Sequence, residues 1–235
     1  LALGERSYDV IVEAGARHRL NEVLTEKVPH ARFAAIVAPE SLQRESWFDF
    51  APLIPWTVIT IPEGEHAKRL DVIEFLCAEF AAQGLSRRDV VVGVGGGATT
   101  DVAGFAAAVY QRGVAALHVA TSLVAQVDAA IGGKTGVNLP GAKNMIGAFH
   151  QPVGVLCDLD TLATLPERER LCGYGEIAKC WLLESRSVDD LVRSNLADWV
   201  EVAVSLKAAI VSSDEREGGQ RALLNYGHTL AHALE

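Results

Sequence analysis

VVVGVGGGATTDVAGFAAAVY, Val90–Tyr110, is the stretch whose reading decides the fold. Val90–Val94 is a run of β-branched residues of the length expected for a strand buried on both faces. Gly93-Val94-Gly95-Gly96-Gly97-Ala98 follows, and a helical pattern runs from about Thr100 to Tyr110. A glycine-rich turn between strand and helix, in the loose pattern G-x-G-x-x-A, can bring a dinucleotide pyrophosphate against backbone N–H groups and a helix N-terminus. Such turns also occur with nothing bound, so the pattern alone leaves the ligand open. Asp101 falls in the first helical turn on this reading, where a partner for the helix dipole is the plain explanation.

Outward from this stretch, strand and helix signals alternate. Tyr8–Val12, Ala34–Ala38, Thr57–Ile61, Val114–Val119 and Val153–Leu156 read as further strands. Ala16–Leu24 and Leu70–Gln83 read as helices, the second with Val72, Ile73, Leu76 and Phe80 near helical spacing. Alternation of this kind predicts an α/β fold with a mostly parallel sheet covered on both faces. From about Leu165 the pattern becomes helical, beginning at Pro166-Glu167-Arg168-Glu169, with no convincing strand. The expected organisation is a Rossmann-like nucleotide-binding domain over residues 1–160, then the start of an all-α domain over residues 161–235. Leu1 reads as lying inside a strand and Glu235 inside a helical pattern without a C-cap signal, so a piece of a longer protein is expected.

The 235 residues are 49% hydrophobic with a net charge of −9, which fits a globular protein and argues against a nucleic-acid partner. No run approaches a membrane span and no export signal is visible, so a cytoplasmic protein is expected. Cys77, Cys157, Cys172 and Cys180 form no Cys-x-x-Cys pair and read as buried free thiols.

A second stretch, VDAAIGGKTGVNLPGAKNMIGAFHQP (Val127–Pro152), sets Asp128, Lys134, Lys143 and Asn144 among five glycines. Such backbone suits a pocket wall better than a core element. A phosphate-binding Walker A loop is excluded, because the glycine it needs five positions before Gly133-Lys134-Thr135 is Asp128. His228 and His232, four apart, share a helix face: half of a zinc site, or two polar residues facing solvent. Glu176 and Lys179 have the spacing of an ordinary helical ion pair.

Six segments together resemble the 3-dehydroquinate synthases of the sugar phosphate cyclase superfamily. They are PEGEHAK (Pro62–Lys68), GGGATTDVAGFAAAVYQRG (Gly95–Gly113), TSLVAQVDAAIGGKTGVN (Thr121–Asn138), KNMIGAFHQP (Lys143–Pro152), GEIAK (Gly175–Lys179) and RALLNYGHTLAHALE (Arg221–Glu235). The resemblance covers nearly the whole chain, in order. It implies NAD contacts from Glu65, Lys68, Gly95, Gly96, Gly97, Asp101, Thr121 and Ser122. Ala120 replaces a proline usual in the family, and Ala38-Pro39-Glu40 offers no clean counterpart to the family's adenosine-side residue. Glu176 and His228 inherit metal-ligand roles for zinc or cobalt, with a third ligand, a histidine, expected past Glu235.

By the same resemblance Lys134, Lys179, His232 and Asp128 are catalytic, and Lys143, Asn144, Lys207, Arg221 and Asn225 bind substrate. Arg112 matches an arginine that reaches the substrate phosphate of a neighbouring subunit, so a homodimer is expected. An acidic protein that gathers these cations at one site is equipped for a small anionic substrate, here a phosphorylated sugar acid. The implied reaction converts 3-deoxy-D-arabino-heptulosonate 7-phosphate to 3-dehydroquinate and phosphate, a step of aromatic amino acid biosynthesis. NAD serves as a catalytic redox cofactor that is regenerated in each turnover. Three rivals remain: an aminodehydroquinate synthase or another sugar phosphate cyclase of secondary metabolism, a metal-dependent polyol dehydrogenase that would release NADH, and a non-catalytic NAD-binding module, which would not need Glu176, Lys207, Arg221 and His228 together.

Overall fold

The computed structural model describes residues 1–226. Its centre is a six-stranded, all-parallel sheet in the order β1-β8-β5-β4-β2-β3. The strands are β1 Asp9–Glu13, β2 Ala34–Pro39, β3 Trp56–Ile61, β4 Val90–Gly95, β5 Ala115–Ala120 and β8 Gly154–Asp158. β2, β4 and β8 are buried along their full length, as expected for parallel strands covered by helices on both faces. The six strands are the six expected from sequence, within a residue or two at each end. Leu1 is the exception, since it lies outside any strand and β1 begins only at Asp9.

Alternation along the strands sorts their side chains into two layers. Ile36, Val90, Val92, Leu117 and Leu156 face a layer with α1 (Leu20–Lys27), Trp47 and Phe50. Ala35, Val37, Val91 and Ala116 face α3 (Leu70–Ala82) and α4 (Gly97–Val109). α3 turns Val72, Ile73, Leu76 and Phe80 inward, the stripe its spacing predicts. The helix expected from Ala16 opens as a 3₁₀ turn and becomes α-helical at Leu20. α4 starts at Gly97, three residues before the expected Thr100, and that shifts Asp101 out of the first turn.

The Val127–Pro152 stretch is more regular than its glycines suggest. It contains an antiparallel hairpin, β6 Lys134–Leu139 and β7 Ala142–Phe149, laid along α4. The approach is close enough that a Cβ on Gly104 would stand 2.6 Å from Thr135 Cγ2. Beyond β8 the described residues form helices only: α5 Glu167–Leu183, the short α6 Val188–Arg193 and α7 Leu196–Ser213. α2 (Glu40–Gln43) is a single turn after β2. A reciprocal cap starts α7, with Asp198 N–H donating to Asn195 Oδ1 at 3.0 Å and Asn195 N–H donating to Asp198 Oδ2 at 3.1 Å. α7 buries Val200, Ala203, Val204, Lys207 and Val211, so a lysine occupies a place on its apolar stripe. With α5 it packs on Val155 and Cys157, beside α4 on the same side of the sheet. No described helix is long and apolar enough to cross a membrane. All four cysteines are free, but Cys172 is exposed and Cys77 half-buried; only Cys157 and Cys180 fit the expectation of burial.

One core residue carries a pH dependence. His118 on β5 is buried, its Nδ1 lacks a hydrogen-bond partner, and burial, aided by His150, lowers its pKa to about 4. A histidine kept neutral in the fold and titrating near 6.5 when unfolded leaves the unfolded chain with more bound protons between those values. Stability should therefore fall as pH drops from about 6.5 to about 4, by on the order of 3 kcal/mol. Urea denaturation at pH 7 and pH 4.5 should show this loss in the wild type and a clearly smaller one in His118→Gln; equal losses would refute the assignment.

Candidate active site

The glycine turn lies at the carboxyl end of β4, beside the point where the chain's progress across the sheet reverses between β2 and β4. Open α/β sheets bind ligands in the crevice at such a point. Gly96 is the residue before α4, and Thr100 N–H closes back onto its carbonyl at 3.1 Å. A Cβ on Gly95 would stand 2.5 Å from Thr99 Oγ1, and one on Gly97 2.9 Å from Ala129 Cβ. The turn therefore excludes side chains and presents bare N–H groups at the start of a 13-residue helix, which fits a dinucleotide pyrophosphate. Thr121 donates its N–H to Gly95 O at 3.0 Å, and Ser122 Oγ accepts from Ala125 N–H at 3.3 Å. Both residues thus border the turn.

A polar cluster joins this turn to the hairpin. Lys68, buried, donates to Asp101 Oδ2 at 2.6 Å and to Asn144 Oδ1 at 2.5 Å. Glu65 Oε2 accepts from Asn138 Nδ2 at 2.7 Å. Asp101 is not the dipole partner its sequence position suggested. It sits one turn into α4, where burial raises its pKa to about 6 against the opposing pull of Lys68. Asn144, expected among the substrate residues, meets Lys68, which also binds Asp101; those two are expected nucleotide residues.

A second cluster fills the space between the hairpin, the π-helical turn Ala125–Ala129 and the helices α5 and α7. Lys207 Nζ pairs with Asp128 Oδ1 and also donates to Asp128 O at 2.5 Å. Burial lowers the Lys207 pKa, while Asp128 counters the shift. Arg221, only 1% exposed, donates to Gly132 O at 2.8 Å and to Glu215 O, with its guanidinium 5.7 Å from the Phe149 ring centroid. Burial lowers its pKa as well. Lys134 pairs with Glu217 at 2.6 Å, and Asn225 Nδ2 donates to Glu217 at the same distance. Lys179 pairs with Glu176 and donates to Leu224 O at 2.7 Å. The negative charge of Asp128 adds to the upward shift of the Asp101 pKa.

Lys143 is exposed on β7, and Arg112 is exposed in the turn after α4, at the end away from the glycine turn, with φ 67°. His228 and His232 lie outside the described residues, so of the residues expected to hold a metal only Glu176 is described. Among the described residues no three His, Cys, Asp or Glu side chains gather as a metal site would require. The sequence reading missed Glu217 and Asn138. Glu217 sits in a loop that no motif marks, and Asn138 ends a recognised segment without an assigned role.

The parallel sheet, the glycine turn at its switch point and the helices after β8 define a Rossmann-like α/β protein followed by a helical region. Residues 58–172 match the family described as 3-dehydroquinate synthase N-terminal, and residues 173–235 that described as 3-dehydroquinate synthase C-terminal. The chain belongs to the 3-dehydroquinate synthase family. It is 51% identical to a candidate aminodehydroquinate synthase of Amycolatopsis mediterranei, over 99% of this chain and 64% of the relative. It is 44% identical to the 3-dehydroquinate synthase of Nitrobacter winogradskyi, over 100% of this chain and 65% of the relative. The crystal structure of 2-deoxy-scyllo-inosose synthase with carbaglucose-6-phosphate, NAD⁺ and Co²⁺ superposes with a TM-score of 0.80 at 28% identity, covering 96% of this chain and 66% of that one. The chain thus spans about two thirds of the length of these proteins.

The buried Lys207–Asp128 pair gives a direct test of the second cluster. Lys207→Met would remove the buried ammonium from Asp128, costing on the order of 2 kcal/mol after allowance for the 30% exposure of Asp128. In a double-mutant cycle with Asp128→Asn, urea unfolding should give a coupling energy of at least about 1 kcal/mol. Additive losses would mean that the pair is not formed.

Proposed function

We propose that the protein is a 3-dehydroquinate synthase, converting 3-deoxy-D-arabino-heptulosonate 7-phosphate to 3-dehydroquinate and phosphate. The observation that carries this is the buried Lys207–Asp128 pair beside the glycine turn, with Lys179 and Arg221 near Lys207 and Lys134 held on Glu217 close to Arg221. Such a pocket in an acidic chain selects a small anion, and a phosphorylated acid suits it better than an uncharged polyol. The 3-dehydroquinate synthase relatives at 40–44% identity support the same reading.

The residues divide the work as follows. Gly95, Gly96 and Gly97, with Thr121 and Ser122, receive the NAD phosphates, while Glu65, Lys68 and Asp101 flank the rest of the nucleotide. Bound NAD would supply a hydride acceptor that returns the hydride within each turnover. Lys134, with Lys143 and Arg221, binds the anionic ends of the substrate, and a phosphate can replace Glu217 as the counterion of Lys134. Lys207 and Asn225 orient the sugar acid, and Asp128, Lys179 and His232 attend the reacting atoms. Glu176, with His228, would hold zinc or cobalt and would exchange its Lys179 partner for the metal. The metal would supply Lewis acidity to substrate oxygens. Arg112, exposed beyond α4, reaches the phosphate of a second copy in a homodimer. The helical residues after β8 form the metal- and substrate-binding domain, and the enzyme is cytoplasmic, without nucleic-acid or membrane partners.

The candidate aminodehydroquinate synthase at 51% identity supports a second reading, in which the substrate carries nitrogen in place of one oxygen. Turnover of the protein on the oxygen and nitrogen substrates decides between them. On the oxygen substrate, phosphate release should match sugar-phosphate consumption one for one, with no net change in reduced-nicotinamide absorbance. Steady NADH accumulation would indicate a polyol dehydrogenase.

Lys134→Ala should abolish turnover yet leave NAD⁺ binding nearly intact, because Lys134 lies on the hairpin, away from the glycine turn. Loss of one charge-assisted bond to a bound anion costs roughly 1.5–3 kcal/mol, and more in the transition state. Wild-type kinetics in this variant would overturn the placement of the substrate.

A further inference from the structure

We propose that Asn138 is a positioning residue that fastens the Glu65–Lys68 segment to the hairpin, so that nucleotide-side and substrate-side groups keep one register. The proposal rests on the synthase reading above. Asn138 sits where the hairpin ladder slips: Val137 pairs with Ile146 but Leu139 with Ala142, leaving 143–145 opposite this one residue. A bulge of this kind re-aims side chains. Here it puts Asn144 in the left-handed region at φ 56°, with Oδ1 on Lys68.

Asn138 binds on both sides of the slip. Its Oδ1 accepts from Asn144 N–H at 2.8 Å, its Nδ2 donates to Glu65 Oε2 at 2.7 Å, and its backbone N–H donates to Lys68 O at 2.9 Å. The partners fix the amide orientation, because a carboxylate requires a donor and an N–H an acceptor. The ring of contacts Asn138–Asn144–Lys68 closes on itself, and Lys68 carries it to Asp101. Only a short side-chain amide supplies donor and acceptor at this reach. Aspartate keeps the acceptor for Asn144 but repels Glu65; alanine loses both.

The two substitutions should therefore separate the halves of the clamp. In Asn138→Ala, protection of the Asn144 amide from hydrogen exchange should be lost, and both the KM for the sugar phosphate and the Kd for NAD⁺ should rise about tenfold, the worth of roughly one hydrogen bond each. In Asn138→Asp, Asn144 protection and KM should stay within about threefold of wild type while the Kd for NAD⁺ rises about tenfold, since only the Glu65 contact is broken. A general loss of stability would not produce this split. Identical behaviour of the two variants in exchange, KM and Kd, or wild-type values in both, would overturn the proposal. Exchange and NAD⁺ titration need no turnover. If the split appears in them while the protein fails to act on the sugar phosphate, the clamp stands and the activity reading fails.

Discussion

The site depends on how closely α4 may lie between the sheet and the β6–β7 hairpin. The helix is built largely of glycine, alanine and threonine, and it buries Val102, Ala103, Phe105, Ala106 and Ala107 against its neighbours. Because Gly104 lets Thr135 touch the helix backbone, the hairpin runs beside α4 instead of standing away from it. That contact brings Asn138 and Asn144 to Lys68, which also binds Asp101. A larger residue at Gly104 would push the hairpin outward and separate the two clusters. Packing that loses complementarity by even a methyl group is felt across such a core.

Charge is arranged to the same end. Lys68, Lys134, Lys179 and Lys207 each have a carboxylate partner: Asp101, Glu217, Glu176 and Asp128. Ion pairs withdrawn from water contribute little net stability, since desolvation offsets the attraction. Arg221 differs, because its partners are mainly carbonyls; it fastens Gly132 and Glu215 together and fixes the geometry around the hairpin base. Tyr8 adds to this, its hydroxyl accepting from Gly132 N–H at 2.9 Å.

The sequence by itself determined the alternation of strands and helices, because a strand buried on both faces must be a short apolar run and α3 must show its inward stripe. It determined the glycine turn as well, since no other residue allows that approach. It also marked most of the cations, through segments that resemble a known family. Only the tertiary structure decided which of them meet. Asp101 left the first turn because the helix begins at the glycines, and its partner Lys68 lies 33 positions away in sequence. Asn144 meets Lys68 because a ladder slip, which has no local signature, turned it that way. The hairpin itself was hidden among glycines that resemble loop residues; a Cβ on Gly147 would stand 2.1 Å from Thr135 O on the facing strand. Local propensity records what a residue can do on its own backbone. Pairing across 33 to 79 positions, as for Lys68 with Asp101 and Asp128 with Lys207, is set by burial and by the crossing of elements, which act only once the chain has folded.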